Sequence, residues 1–277
     1  MTPQSYPRAQ MPDLGAMRIL WMAVPTLWRV AVAGMVAYRA EMVIWILSAT
    51  LPLVMLALWD AAAIAGPLEG FGQADFARYF TVTMVVRQLT GAWIVWELNY
   101  AVRSGTLSPQ LLRPVNPLVY NLFETLAAIP WRRLVLIPLV GGLVAWRPEV
   151  VFTPVWWRVP LFAVSILLAF AVAWLVQALF GVLAFWFDQA IGIFSVHFAL
   201  WSFFSGYIIP MTLLPDGVAQ LARWLPFYSS LGAPVDVLLG RAGVPEIAAQ
   251  LFWVVALAGL LNVAWTRGIR RYGAVGA

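Results

Sequence analysis

The sequence predicts an all-α integral membrane protein with six transmembrane helices, and three observations carry that prediction. Of the 277 residues, 63% are hydrophobic and only 10% charged. The mean hydropathy of +0.85 lies far outside the soluble globular range. The length leaves room for about six helical runs of about 20 residues, each enough to cross the hydrocarbon core, with short links between them. No soluble domain fits beside them.

Composition also excludes chemistry. All 17 basic residues are Arg, so a Walker A phosphate loop, which needs a Lys, is absent, and Schiff-base and pyridoxal chemistry go with it. There is no Cys, which removes disulfides, thiol nucleophiles, Cys-ligated zinc and iron–sulfur clusters. The net charge of +5 could suggest nucleic acid, but the arginines flank apolar runs rather than sharing one soluble face. Orienting the spans accounts for them, and no nucleic-acid partner is expected.

In chain order, residues 1–16 form a polar tail, with Pro and acidic residues where a signal peptide would carry its apolar core. Residues 17–38 carry Arg18 and Arg29 on one side of a helical wheel, with Trp21 and Trp28 nearby, which suits a helix lying in the membrane interface. The competing reading is a true span, which would make seven and put the termini on opposite sides. The first expected span, 41–66, has Pro52 near its middle and Asp60 at its outer end. The second, 75–101, carries Arg87 in its body. A link at 103–117 follows, then an interfacial helix at 117–129 and a third span at 130–147. At its start the Arg132–Arg133 pair would snorkel to the headgroups. Trp146, Trp156 and Trp157 bracket the next loop as an aromatic belt. The fourth and fifth spans, 158–187 and 190–209, meet at a tight turn. Residues 210–245 are too broken by Pro and Gly to span and read as two short amphipathic helices, the first capped by Asp216. The sixth span, 247–266, ends in Arg267, Arg270 and Arg271. On this topology 11 Arg lie at the side of both termini and five at the other, so both termini are expected in the cytoplasm.

The link at 103–117 can be parsed residue by residue. The second span should close at Ser104-Gly105, since Gly tolerates the left-handed conformation. Ser108-Pro109 reads as an N-cap and first-turn pair opening one helical turn over 109–113, which shows Leu111, Leu112 and Arg113. Asn116-Pro117 starts the next helix. Such an apolar turn at the inner surface either docks a soluble partner or is an ordinary Pro-rich loop. Arg87 is costly at mid-depth, about 2.5 to 3.5 kcal/mol on insertion scales. An ion pair with Asp60, snorkelling, and contact with a transported molecule are its three readings. His197, the only histidine, cannot form a metal site by itself. A satisfied or cavity-lining role is expected for it, and most of the many aromatics are expected to be interface anchors and lipid-facing packing.

Two blocks carry a resemblance: ELNYAVRSGTLSPQLLRPVNPLVY at 97–120 and SGYIIPMTLLPDGVAQLARWLPFY at 205–228. With the order of parts around them, from about residue 17 onward, they resemble the permease subunits of ABC-2 type exporters that work beside a separate ATPase. The resemblance implies a bacterial inner-membrane protein with six spans and an inner coupling helix that docks on an ATP-binding subunit. By matching position the coupling role falls on Leu107, Ser108, Pro109, Leu111, Leu112 and Arg113. It also implies an outer re-entrant hairpin before the last span, here holding Pro210, Pro215, Asp216 and Pro226. Two ATPase copies and a second permease, identical or different, are the implied partners, with ATP and Mg on the ATPase and no cofactor, catalytic residue or metal on this chain. The alternative reading is an ion-coupled secondary transporter or another multi-span protein. Against the former stand the absence of internal repeats and the placement of Asp and Glu near span ends. A lipid enzyme would need convergent His, Cys, Lys or carboxylate groups.

Overall fold

A computed structural model describes residues 50–275 together with Met22, Pro25 and Arg29. The expected tail at 1–16, nearly all of the helix at 17–38 and the first part of the 41–66 span lie outside the described residues, as do the side chains of Arg132 and Arg133. Within residues 50–275 eleven α-helices follow one another: α1 (Leu51–Ala62), α2 (Gln73–Thr90), α3 (Ile94–Arg103), α4 (Leu107–Leu111), α5 (Pro117–Trp146), α6 (Arg158–Val182), α7 (Ala190–Phe204), α8 (Asp216–Trp224), α9 (Pro226–Ser230), α10 (Gly232–Leu239) and α11 (Val244–Val275).

The centre of the bundle is α6, whose apolar stretch through Phe185 has a mean hydropathy of 2.6. The long α11 packs along it, and α3, α10, α2, α9 and α7 close around it. A helix apolar on every side is one that neighbours and lipid share between them. Gly181 lets α3 approach α6 closely: a Cβ there would stand 3.1 Å from the Leu98 Cβ, so the glycine is a packing residue.

Among the described residues two larger apolar clusters divide the bundle along its length, and a smaller one, Met211, Leu214, Ala222, Tyr228 and Ala233, lies in the fold-back segment. One, at the end that carries the 103–117 link, gathers Leu98, Ala101, Leu107, Leu118, Phe185 and Trp265. The other gathers Leu56, Phe71, Phe76, Tyr79, Leu143, Leu231 and Val235, at the end where α8, α9 and α10 fold back.

Several expected boundaries are corrected. Residues 75–101 are not one helix: the chain leaves the helical conformation at Gly91, with ψ 130°, and restarts after Trp93. Glycine costs a helix about 1 kcal/mol. At the break Trp93 packs at a tilt against Trp96, with ring centroids 4.7 Å apart. The expected interfacial helix at 117–129 and span at 130–147 are a single 30-residue helix that continues through Pro130 and Pro138. At 1.5 Å per residue it runs about 45 Å, longer than the hydrocarbon core is thick. Residues 210–245 form three short α-helices rather than two, because Leu225, with ψ 153°, breaks the run before Pro226.

Among the described residues two helical stretches are long and apolar enough to cross a bilayer unaided, Arg158–Phe185 and Val244–Tyr272. Shorter apolar stretches occupy Leu51–Ala65, Leu136–Trp146 and Ala190–Phe204. The fifth expected span is thus only 15 residues of helix, about 22 Å.

Candidate functional site

The link at 103–117 is built much as local chemistry dictates, with its register shifted. Ser104 donates its hydroxyl to the Tyr100 carbonyl at 2.7 Å, and Gly105, at φ +76°, reverses the chain. The short helix α4 starts at Leu107, two residues before the expected turn, so Ser108 is inside it and is not its N-cap. The reason is tertiary. Leu107 is fully buried in the cluster around Ala101, Leu118 and Phe185, which stabilises the turn by about 2 kcal/mol. That freedom removed, the Ser108 hydroxyl faces the Tyr272 hydroxyl at 3.0 Å and ties the link to the end of α11.

The six residues expected to couple therefore separate into two groups. Leu107 is an anchor, not a contact surface, and Leu111 packs partly against the same cluster. Pro109 and Arg113 are exposed, and Leu112 is 87% exposed, an apolar side chain held outward on a rigid turn. The Arg113 guanidinium lies 5.9 Å from the Tyr120 ring centre. Asn116 caps α5 by accepting from the Leu118 N–H at 2.9 Å, with Pro117 in the first turn. Between α3, the link and α5 lies a cavity of about 110 Å³ whose polar wall includes Glu97, Gln110, Asn121 and Glu124. Asn121 donates to Glu97 and accepts from the Trp174 indole at 3.2 Å, so the polar seam is fixed to α6.

The expected Arg87–Asp60 pair does not form. Asp60 receives both terminal nitrogens of Arg147, at 2.8 and 3.1 Å, and Arg147 also bonds Glu149. Depth is the physical reason. Gln73, at the start of α2, donates to the Asp60 carbonyl, whereas Arg87 lies about 20 Å further along the same helix. Arg87 instead sits 5.2 Å from the Trp201 ring centre and bonds the Tyr207 side chain. The two carboxylates hold the Arg147 guanidinium charged, raising its pKa well above its ordinary value, chiefly through the Asp60 bond. Glu149 is held below the usual carboxylate range by its own backbone amide and by Arg147.

In the fold-back segment, Pro210 is buried and Pro215 exposed, Asp216 opens α8 without capping it through its side chain, and Pro226 sits in the first turn of α9. The stronger polar links here were not visible in the sequence. Tyr228 donates to the buried Asp236 at 2.8 Å, and burial pushes the Asp236 carboxyl up to about 6. Gln250, fully buried on α11, donates to the carbonyls of Ser165 and Ser229 at 3.0 and 2.8 Å and accepts from the Ser165 hydroxyl at 2.9 Å. It thereby joins α11, α6 and α9. A lone Gln in an apolar run was the available signal. Tyr79 donates to the Gly206 carbonyl at 2.7 Å, and Gly206 stands at φ +88°.

An all-helical apolar bundle, a rigid turn presenting one exposed leucine at one end, and a folded-back helical segment at the other define a membrane-embedded transport component. The description "ABC-2 family transporter protein" matches residues 44–276, and the chain belongs to that family. It is a permease component of an ABC transporter, and membership implies an ATP-binding subunit as partner. A comparison with curated proteins finds no match.

Proposed function

We propose that the chain forms half of the translocation path of an ATP-driven exporter, coupled to a separate cytoplasmic ATPase through α4 and the residues just after it. Two ATPase copies carry ATP and Mg, and a second permease, the same chain or a different one, completes the path. The chain crosses the bacterial inner membrane six times with both termini in the cytoplasm, and α8 to α10 form a re-entrant hairpin on the outer side. ATP-driven closure pushes on the link and moves α3 and α5, a rigid-body switch without bond chemistry on this chain. The observation that carries the reading is Leu112, 87% exposed on a turn whose other end is anchored by the buried Leu107. An apolar side chain held outward on an anchored turn suits a groove on a soluble partner. Leu112→Glu is expected to abolish co-purification of the ATPase while membrane insertion and the fold persist. Retained ATPase binding would remove the coupling assignment.

A further inference from the structure

A second cavity, of about 40 Å³, lies between α2, α6, α7 and α9. Two polar atoms in its wall lack a hydrogen-bond partner, and beside them stands a guanidinium with no carboxylate. Among the described residues no carboxylate lies within 4.0 Å of Arg87, whose only described neighbours of note are the Trp201 face and Tyr207. Gln177 Oε1 and His197 Nδ1 are both buried with no hydrogen-bond partner. An acceptor or donor buried from water without a partner is costly, and so is a guanidinium without a counter-charge. Two unsatisfied atoms and a guanidinium without a carboxylate, converging on one cavity, are a built polar site in an apolar bundle.

One side of the wall is an aromatic stripe of α7, and Thr90, Ala173, Val176, Pro226 and Ser230 complete the lining with Phe227. Phe194, His197, Phe198 and Trp201 recur at helical spacing. The His197 ring is fixed between Phe194 at 5.6 Å, Phe180 at 4.6 Å and Phe227 at 5.3 Å. Phe198, 40% exposed, stacks on Trp201 at 5.4 Å and forms the rim toward the outer face of α7, which also exposes Ile193, Val196 and Leu200.

We infer that this cavity binds the head of an amphiphile that joins a carboxylate to a neighbouring N–H or O–H donor, with its apolar body lying along α7. The chemistry follows from the lining. A carboxylate accepts from the Arg87 fork and from His197 Nδ1 in its N–H tautomer, and the adjacent donor satisfies Gln177 Oε1. Size limits the head. At about 10 to 15 Å³ per water-sized volume, the enclosed part holds about three, the room of a carboxylate with its adjacent donor at the mouth. The inference rests on the permease reading in taking this amphiphile as the class of molecule transported, but binding is measured without ATP, so each can fail alone.

The test uses the detergent-purified complex with its natural partners and a photoreactive N-dodecanoylglycine carrying a diazirine in its chain. Crosslinks mapped by peptide mass spectrometry are expected in α7, between Ala190 and Phe204. N-dodecanoylglycine is expected to compete about ten-fold better than its methyl ester, the factor one charge-assisted hydrogen bond carries. It should also compete better than dodecanoic acid, which lacks the N–H. Arg87→Gln should lower α7 labelling about ten-fold, and Gln177→Leu should abolish the preference over dodecanoic acid. Equal competition by acid and ester, or labelling outside α7, would overturn the inference. Because that comparison is made on the native complex, it decides the matter even if Arg87→Gln does not assemble.

Discussion

Gln250→Leu tests whether the bundle is held by a buried polar clamp. The amide joins three elements through three hydrogen bonds, and its side chain is fully buried. Leucine fills a similar volume but leaves the Ser165 hydroxyl and the Ser229 carbonyl without this partner. Interhelical hydrogen bonds in membranes are worth about 0.6 kcal/mol on average and about 1.7 at most. Three of them place the loss between about 2 and 5 kcal/mol. Unfolding in mixed micelles by stepwise addition of a denaturing detergent, for the wild type and the variant, reads the difference. A double-mutant cycle with Ser165→Ala should show coupling of about 1 kcal/mol. A cost below about 0.5 kcal/mol, the range of an ordinary surface change, would refute the clamp.

Asp60→Asn should destabilise the hairpin end by about 1 to 2 kcal/mol, because a part-buried bidentate pair with Arg147 is lost. The same unfolding assay checks it, and it should leave any labelling near Arg87 unchanged. Asp236 gives a pH dependence outside the spanning helices. Its folded pKa of about 6 lies above the ordinary value of 3.8, so its stabilising contribution is complete below about pH 4 and is lost as pH rises through 6, on the order of 3 kcal/mol in all. Thermal unfolding at pH 5 and pH 8 should show this slope, and Asp236→Asn should flatten it. Glu149, with its pKa lowered, acts in the opposite sense at lower pH, as pH falls through its folded value. Gly206→Ala should be strongly destabilising, since a Cβ there collides with the Tyr79 hydroxyl and the backbone stands at positive φ. Loss of folded yield in a fluorescence-detected gel-filtration assay checks it.

By itself the sequence determined the class of the protein and the local form of its punctuation. A chain 63% hydrophobic without Lys or Cys can be little other than a bilayer-embedded protein without phosphate-loop or thiol chemistry. The reversal at Gly105 and the start of α5 at Asn116-Pro117 follow from residues adjacent in the chain, which is why they were legible. Only the tertiary structure decided who pairs with whom. Asp60 finds Arg147, 87 positions away, because the packing of α1 beside the end of α5 sets their common depth, a quantity that hydropathy does not encode. The helix in the link begins at Leu107 and not at Pro109 because a buried leucine held by distant residues outweighs a local capping preference worth about 1 kcal/mol. The cavity at Arg87 likewise needs four helices to converge. Its aromatic stripe on α7 was written in the sequence, but the unpartnered Gln177 and His197 beside it appear only once α6 and α9 are in place.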